Sequence, residues 1–451
     1  MSRRRATSAG ATEPIRVTWS NWAGNQTCSP ARTAAPRSVE EVAEVLAGAR
    51  ARGQRVKPVG AGHSFTDIAA TSGVQLSLDR LCGITDIDVE HRRVRVLGRT
   101  PLHVLNPALE AIGLALPNLG DIDRQSIAGA ISTGTHGTGA RRHGIAAAVT
   151  ALTIVTADGS LIECSREREP EVFHAARVSL GALGVVTAVE LQCVPAFRLH
   201  ATEASADIHE VLRGADALTA EHDHVDVHWF PHTDRCLLKC NNEVADPPGG
   251  GAGRPLPVWR EALDDRFLSN TVFEGLNRLA TARPALVPRL NQVSARALGA
   301  RQFTDSSWRV FCSPREVRFT ESEYAVPRDS LVPVMEALMA WTDAEREPLP
   351  FPVELRFAAA DDVWLSTGYE RDNAYVAVHQ FHRMDNTRSF AAFEAIVREH
   401  AGRPHWGKLH TATAAELREL YPRFDDFLAV RDRLDPERIF ANGYLARVLG
   451  D

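Results

Sequence analysis

The chain has 451 residues, 44% hydrophobic and 24% charged. These proportions exclude a collagenous, disordered or coiled-coil protein and allow a sizeable core, split between two domains or held in one large interrupted domain. Fifty-one basic against 57 acidic residues leave a formal charge of −6, the wrong sign for binding nucleic acid through bulk charge. No run of eighteen apolar residues occurs, and the basic start Arg3 to Arg5 leads into a Ser/Gly/Thr tail rather than an apolar signal core, so the reading is a cytoplasmic protein with no membrane partner.

In chain order, residues 1–14 read as a disordered tail, followed by an aromatic, polar segment from Trp19 to Asn25. Ser38 with Glu41 forms a capping-box pattern ahead of Val39, Val42, Val45 and Leu46, which predicts a helix ending near Gly53. A short strand from Arg55 runs into the loop Gly60-Ala-Gly-His-Ser-Phe65. Strands are predicted over residues 74–78, 84–89 and 94–97, and a helix over 101–112 closed by Gly113.

A second glycine-rich stretch, Gly129 to Gly139, precedes a hairpin with Asp158-Gly159 at its turn. A strand over 185–194 follows. The texture changes near residue 196, where we set the domain change. Beyond it lie a strand ending in Trp229, a Pro/Gly run from Asp246 to Pro257, strands over 351–359 and 375–382, and helices over 387–400 and 424–434.

Seven scattered cysteines do not form a disulfide framework and read as reduced thiols. Only Lys57, Lys239 and Lys408 are lysines among the 51 basic residues, so each draws notice. The two glycine loops let backbone approach a ligand closely, and successive amides in the first suit an anion such as a diphosphate. His63 lies inside that loop, where a solvated side chain is the plain alternative. The second loop, around Gly134 to Gly139, matches neither the dinucleotide G-x-G-x-x-G nor the nucleotide-triphosphate G-x-x-x-x-G-K-[ST] pattern. His222, His224, His228 and His232 with Cys236 and Cys240 match no compact zinc spacing, and no metal is expected. Glu354 and Arg356, one residue apart on a predicted strand, share a face opposite Leu355 and can enter one pocket or form a surface ion pair.

Val59-Gly-Ala-Gly-His-Ser64, Gly129-x-Ile-Ser-Thr-Gly-Thr-His-Gly-Thr-Gly139, Val353-Glu-Leu-Arg356 and His405-Trp-Gly-Lys408 occur in this order. Together with Trp229 to Asp234, Arg318 to Pro327 and Phe440 to Leu445, they resemble the sugar-lactone oxidases of the vanillyl-alcohol-oxidase (PCMH) flavoprotein superfamily, from about Trp19 to Leu449. The resemblance implies an α+β fold: an FAD-binding domain over 15–195, a sheet-based substrate domain over 196–404, and a segment over 405–451 returning to the flavin. It implies FAD held by Gly60, Ala61, Gly62, His63, Ser64 and Phe65, by Ser126, Gly129, Thr133, Gly134, Thr135, His136 and Gly137, and by Val185, with His63 bonded covalently to the flavin. A neutral imidazole is a competent nucleophile for that bond.

The resemblance also puts Glu354 and Arg356 beneath the substrate hydroxyls and Lys408 in the active site, where with Arg356 it helps to remove the hydroxyl proton. His379 is the better pocket candidate of the pair His379 and His382, which face opposite ways. The implied partners are a sugar lactone or polyol substrate and O2 or another electron acceptor. An alditol oxidase, a tailoring oxidase for a sugar or nucleoside, and a non-catalytic sugar-binding relative stay open as rival readings.

Overall fold

A computed structural model describes residues 18–244, 254–261, 267–268 and 270–451. The expected tail over 1–14 lies outside the described residues, as does most of the Pro/Gly run from Asp246. The first helix spans Val39–Arg50, and the Ser38 hydroxyl accepts the Glu41 amide at 3.3 Å. The reciprocal half of the expected capping box is displaced by one residue, because the Glu41 carboxylate accepts from the Arg37 amide at 2.8 Å. Val42, Leu46 and Ala49 face inward against a small parallel sheet ordered Arg32–Ala34, Val74–Ser77 and Val56–Val59.

A five-stranded antiparallel sheet follows, ordered Leu161–Ser165, Val149–Val155, Val185–Gln192, Arg93–Leu97 and Ile84–Asp88, with the expected Asp158-Gly159 hairpin at its edge. Its apolar face packs with the helices Leu102–Ala111 and Pro170–Ala176. The same core takes in Leu417, Phe424, Phe427, Tyr444 and Leu445 from the last three helices, so the C-terminal segment completes a core begun far upstream.

Strands from Arg198 to Pro404 form one eight-stranded antiparallel sheet, ordered Arg301–Ser306, Arg198–Asp207, Arg235–Val244, His224–Trp229, Val353–Ala358, Asn373–Phe381, Phe319–Pro327 and Arg403–Pro404. Alternation sorts its two faces. Val225, Val227, Leu355, Val376 and Val378 pack against Met335, Leu338 and Phe393 of the helices Leu331–Glu345 and Thr387–Arg398. The residues between them, among them Asp226, His228, Glu354 and Arg356, point the other way.

The chain end is tied to the first sheet and loop. The Val56 amide donates to the Ile439 carbonyl at 2.8 Å, and the buried Lys57 ammonium donates to the carbonyls of Phe440 at 3.1 Å and Gly181 at 3.3 Å. Asn442 Nδ2 reaches the carbonyls of Asp67, Ile68 and Ala70. Burial pulls Lys57 down to about 7, with Arg431 adding to the effect. No helix among the described residues is long and apolar enough to cross a membrane. All seven cysteines are unpaired.

Candidate active site

The loop after Val59 lines a groove with Ser126, Gly129, Thr133 and Val185. Its glycines are required by close approach and by conformation. A Cβ on Gly60 would lie 2.6 Å from the Ser126 hydroxyl, which caps the helix Ile127–Ser132, and Gly62 has φ +72°. At the end of this groove stands His63, stacked on Trp22 with ring centroids 5.6 Å apart. Its buried Nδ1 has no hydrogen-bond partner, and burial with the nearby Lys408 and Arg124 charges lowers its pKa to about 4, so the imidazole is neutral. Where a groove lined by small residues ends in an unsatisfied, uncharged histidine, the residues present fit FAD.

Two of the expected cofactor residues also have a structural role. Gly134 and Gly137 line neither the groove nor the cavity beyond it. A Cβ on Gly137 would strike the Leu119 carbonyl oxygen at 2.2 Å and Asn118 Oδ1 at 2.4 Å, so this glycine permits two loops to cross. Gly134 turns the chain at φ +74° beside Trp406. Phe65, Thr135 and His136 line the cavity rather than the groove.

That cavity, about 580 Å³, shares His63, Ser64, Gln125 and Thr133 with the groove and lies on the charged face of the large sheet. Strand register builds its floor. His228 pairs with Glu354 and Glu354 with Ala377, which in turn pairs with Glu323, so three polar side chains and one small one form a row across four strands. In the flanking positions Arg356 Nη2 donates to Glu354 at 2.5 Å, and Arg356 Nε lies 3.7 Å from Asp226. His228 Nε2 is 3.4 Å from Asp226 and 3.8 Å from Glu354. Burial pushes Glu354 up to about 7 against the pull of Arg356, with Asp226 adding to the rise. Asp226 is held well below the usual carboxylate range, the His228 and Arg356 charges outweighing its burial.

On the same sheet face Glu321 pairs in register with His379, and Lys408 donates to Glu321 and lies 3.8 Å from Glu323. Burial favours a neutral Lys408, but Glu321 and Glu323 together outweigh it and raise its pKa. The two carboxylates thus favour the ammonium form of Lys408. His379 Nδ1 donates to the Pro352 carbonyl at 3.1 Å, leaving Nε2 with a lone pair 3.6 Å from Glu321. Burial lowers His379 to about 4, Glu321 opposing and Lys408 adding to the shift. His136 Nε2 lies 3.0 Å from Glu323 and its ring stacks on Tyr375. His405 accepts the Gly407 amide at 3.0 Å, and Arg315 pairs with Asp121 at 2.6 Å.

The sequence reading thus named Glu354, Arg356, His379 and Lys408, which line one cavity, but missed Asp121, His228, Arg315, Glu321, Glu323 and His405 as members of it, and Asp226 behind His228 and Arg356. The alternation of Asp226 with His228, and of Glu321 with Glu323, was the available signal. The histidines and cysteines first weighed as a metal site separate: His224 Nδ1 donates to the Thr138 carbonyl at 2.7 Å, and Cys236 and Cys240 pack in the core behind the sheet. Asp226, His228 and Glu354 come within ligand reach of one another, as do Glu321, Glu354 and His379, and His136, Glu323 and His405. Arg356 or Lys408 stands against a carboxylate of each group, which answers its charge without a metal ion.

Residues 189–448 match the family described as D-arabinono-1,4-lactone oxidase, and residues 30–165 match the FAD binding domain family. The chain is 42% identical to an L-gulono-1,4-lactone dehydrogenase of Mycobacterium tuberculosis, covering 96% of this chain and 99% of that one. It is 36% identical to an L-gulonolactone oxidase of Bos taurus, covering 96% and 98%. Among solved structures, cholesterol oxidase from Brevibacterium sterolicum superposes with TM-score 0.80 at 18% identity, over 98% of this chain and all of that one, a likeness of fold. With the cofactor groove, the charged sheet face and these matches together, the chain belongs to the D-arabinono-1,4-lactone oxidase family of FAD-dependent oxidoreductases, on the vanillyl-alcohol-oxidase fold.

Proposed function

We propose that this protein oxidises a secondary hydroxyl of a sugar-1,4-lactone of the L-gulono or D-arabinono type, passing the electrons to O2 or another acceptor. The observation that carries this reading is the meeting of a neutral His379, the Glu354–Arg356 pair and the Lys408–Glu321 pair in one cavity that opens onto His63. FAD, when bound, supplies the hydride acceptor. The protein's own residues bind the polyhydroxylated ring and move the proton. Glu354 and Arg356 hold hydroxyls through directed hydrogen bonds. His379 Nε2 receives the proton of the reacting hydroxyl, its tautomer fixed by the Pro352 carbonyl, and Glu321 offsets the imidazolium that results. The Lys408 ammonium steadies the charge that develops on the substrate oxygen.

Within this proposal His63 anchors the cofactor covalently, supported by its neutral ring and partnerless Nδ1. We take the FAD-binding part as residues 15–195, the substrate part as 196–404 and the closing segment as 405–451. Seven unpaired cysteines support a reducing, cytoplasmic setting.

The test mixes the purified, yellow protein without air with L-gulono-, L-galactono- and D-arabinono-1,4-lactone, xylitol and sorbitol, and follows flavin bleaching. Lactones bleach it fastest; bleaching by polyols alone overturns the substrate assignment in favour of an alditol oxidase. Acid precipitation gives a yellow pellet from the native protein and a colourless pellet from His63→Ala; yellow supernatant from the native protein removes the covalent role of His63.

A further inference from the structure

The cavity is larger than a sugar lactone needs, and part of its wall is apolar side chain. Its volume is about 580 Å³. At interior packing density a lactone of a dozen heavy atoms fills on the order of 150 Å³ and a flavin ring system about 200 Å³, which leaves room on the order of an octyl chain. The polar groups described above occupy one part of the wall. The rest combines Phe230, Leu237, Val272, Phe273, Leu276 and Leu298 with the Glu203–Arg301 ion pair, Arg260, Asn270 and Ser294.

Apart from Phe273, none of the six apolar residues belongs to a packed apolar core among the described residues, so their side chains present apolar surface to the cavity. Val272 is 37% exposed, and Leu237, Leu276 and Leu298 are half-buried. Phe273 joins the two parts. It packs edge-on against Phe351 with centroids 4.7 Å apart, and Phe351 stacks on His379 at 6.3 Å. An aromatic path therefore runs from the proposed proton acceptor to the apolar wall.

We propose that the natural substrate is amphiphilic: a sugar lactone or related sugar alcohol carrying an apolar substituent, whose hydroxyls meet Glu354, Arg356 and Lys408 while the substituent lies along Leu276 and Leu298. This rests on the lactone-oxidising reading and names the substrate class for the same site. An exposed apolar wall is wetted when the unsubstituted lactone binds and covered when the substituted one does, so the affinity gain belongs to the substituent.

The experiment compares L-gulono-1,4-lactone with its 6-O-octanoyl ester on the FAD-loaded full chain, by anaerobic flavin bleaching and by steady-state kinetics with one electron acceptor. The ester is expected to show a KM at least tenfold lower. In the double variant Leu276→Asn, Leu298→Gln the ratio of kcat/KM for ester over lactone falls at least fivefold. An ester no better than the lactone on the native protein overturns the proposal, and needs no variant to fold. Equal losses for both substrates in the variant overturn it as well, because they mark a structural role. If decylquinone speeds reoxidation and only that effect is lost in the variant, the wall serves an acceptor and the proposal fails. Should neither lactone nor ester bleach the flavin, the lactone-oxidising reading fails first and takes this one with it; bleaching by the lactone with no ester advantage sinks this one alone.

Discussion

Along the groove, Gly60, Ala61 and Gly62 offer backbone and almost no charge, whereas the adjoining cavity crowds Glu321, Glu323, Glu354, Arg356 and Lys408 onto one sheet face. The groove is made from neighbours in sequence that gain their function from the absence of side chains. The cavity is made from side chains brought together by register between strands that are far apart in sequence. A substitution in the groove acts through sterics and is graded; one in the cavity leaves a buried charge without its partner and is severe.

The sharpest test of that difference is Arg356→Met. It strips the cation from between Glu354 and Asp226, and the rate of flavin reduction should fall roughly 10³-fold or more while bound flavin stays in place. Loss of flavin instead would show that the two regions are not separable. Next comes His379→Asn, which keeps a polar group of similar reach but no proton acceptor; kcat should fall about 10²-fold or more with KM changed little. An unaltered kcat would move the proton to another group.

Acid should act through the buried histidines, of which His63, His379 and His405 line the cavity. Burial holds His63, His224 and His379 near about 4, and His405 and His410 near about 3, each well below an ordinary histidine. The unfolded chain takes up these protons near pH 6.5 and the folded chain only near 3 to 4. Stability is therefore intact above pH 6.5 and lost as pH falls through that window, by up to about 1.4 kcal/mol per pH unit for each histidine. A thermal midpoint that drops steadily from pH 7 to 4.5 is the expected result; a flat one contradicts neutral buried rings. The smallest effect is in the groove. Gly60→Ala forces the Ser126 hydroxyl off its cap, a cost of about 1 kcal/mol or some fivefold in FAD affinity for apoprotein, read by flavin fluorescence titration.

The same contrast explains what the sequence disclosed. A loop such as Gly60 to Phe65 is contiguous, and its glycines, histidine and position after a strand can be read directly. Alternation put Glu354 and Arg356 on one strand face and scarcity drew notice to Lys408, but a surface ion pair and a surface lysine also fitted those signals, and the order of the four motifs is what pointed to a site. Asp226 and His228 obey the same alternation. Their membership of the site depends on pairing with residues 353–355 more than a hundred positions away, which no local pattern carries. Asp121 and Arg315 lie in loops with no period at all. The partner of Lys408 could not be read, because Glu321 lies on a strand about ninety residues upstream in sequence. Gly137 shows the converse: it sits in a motif, yet its lack of a side chain serves loop packing.

The ties between residues 56–70 and the chain end fix an order in time. The groove residues leave the ribosome early, but the Val56 amide and the Lys57 ammonium find their acceptors only when Ile439 and Phe440 have been made. Until then Gly181 is the only one of the two carbonyl acceptors of Lys57 that has been made. The cofactor groove is thus among the first parts of the protein to be synthesised and among the last to be finished. A chain cut short before residue 439 would be caught at the cofactor-loading step, well before any substrate could report the defect.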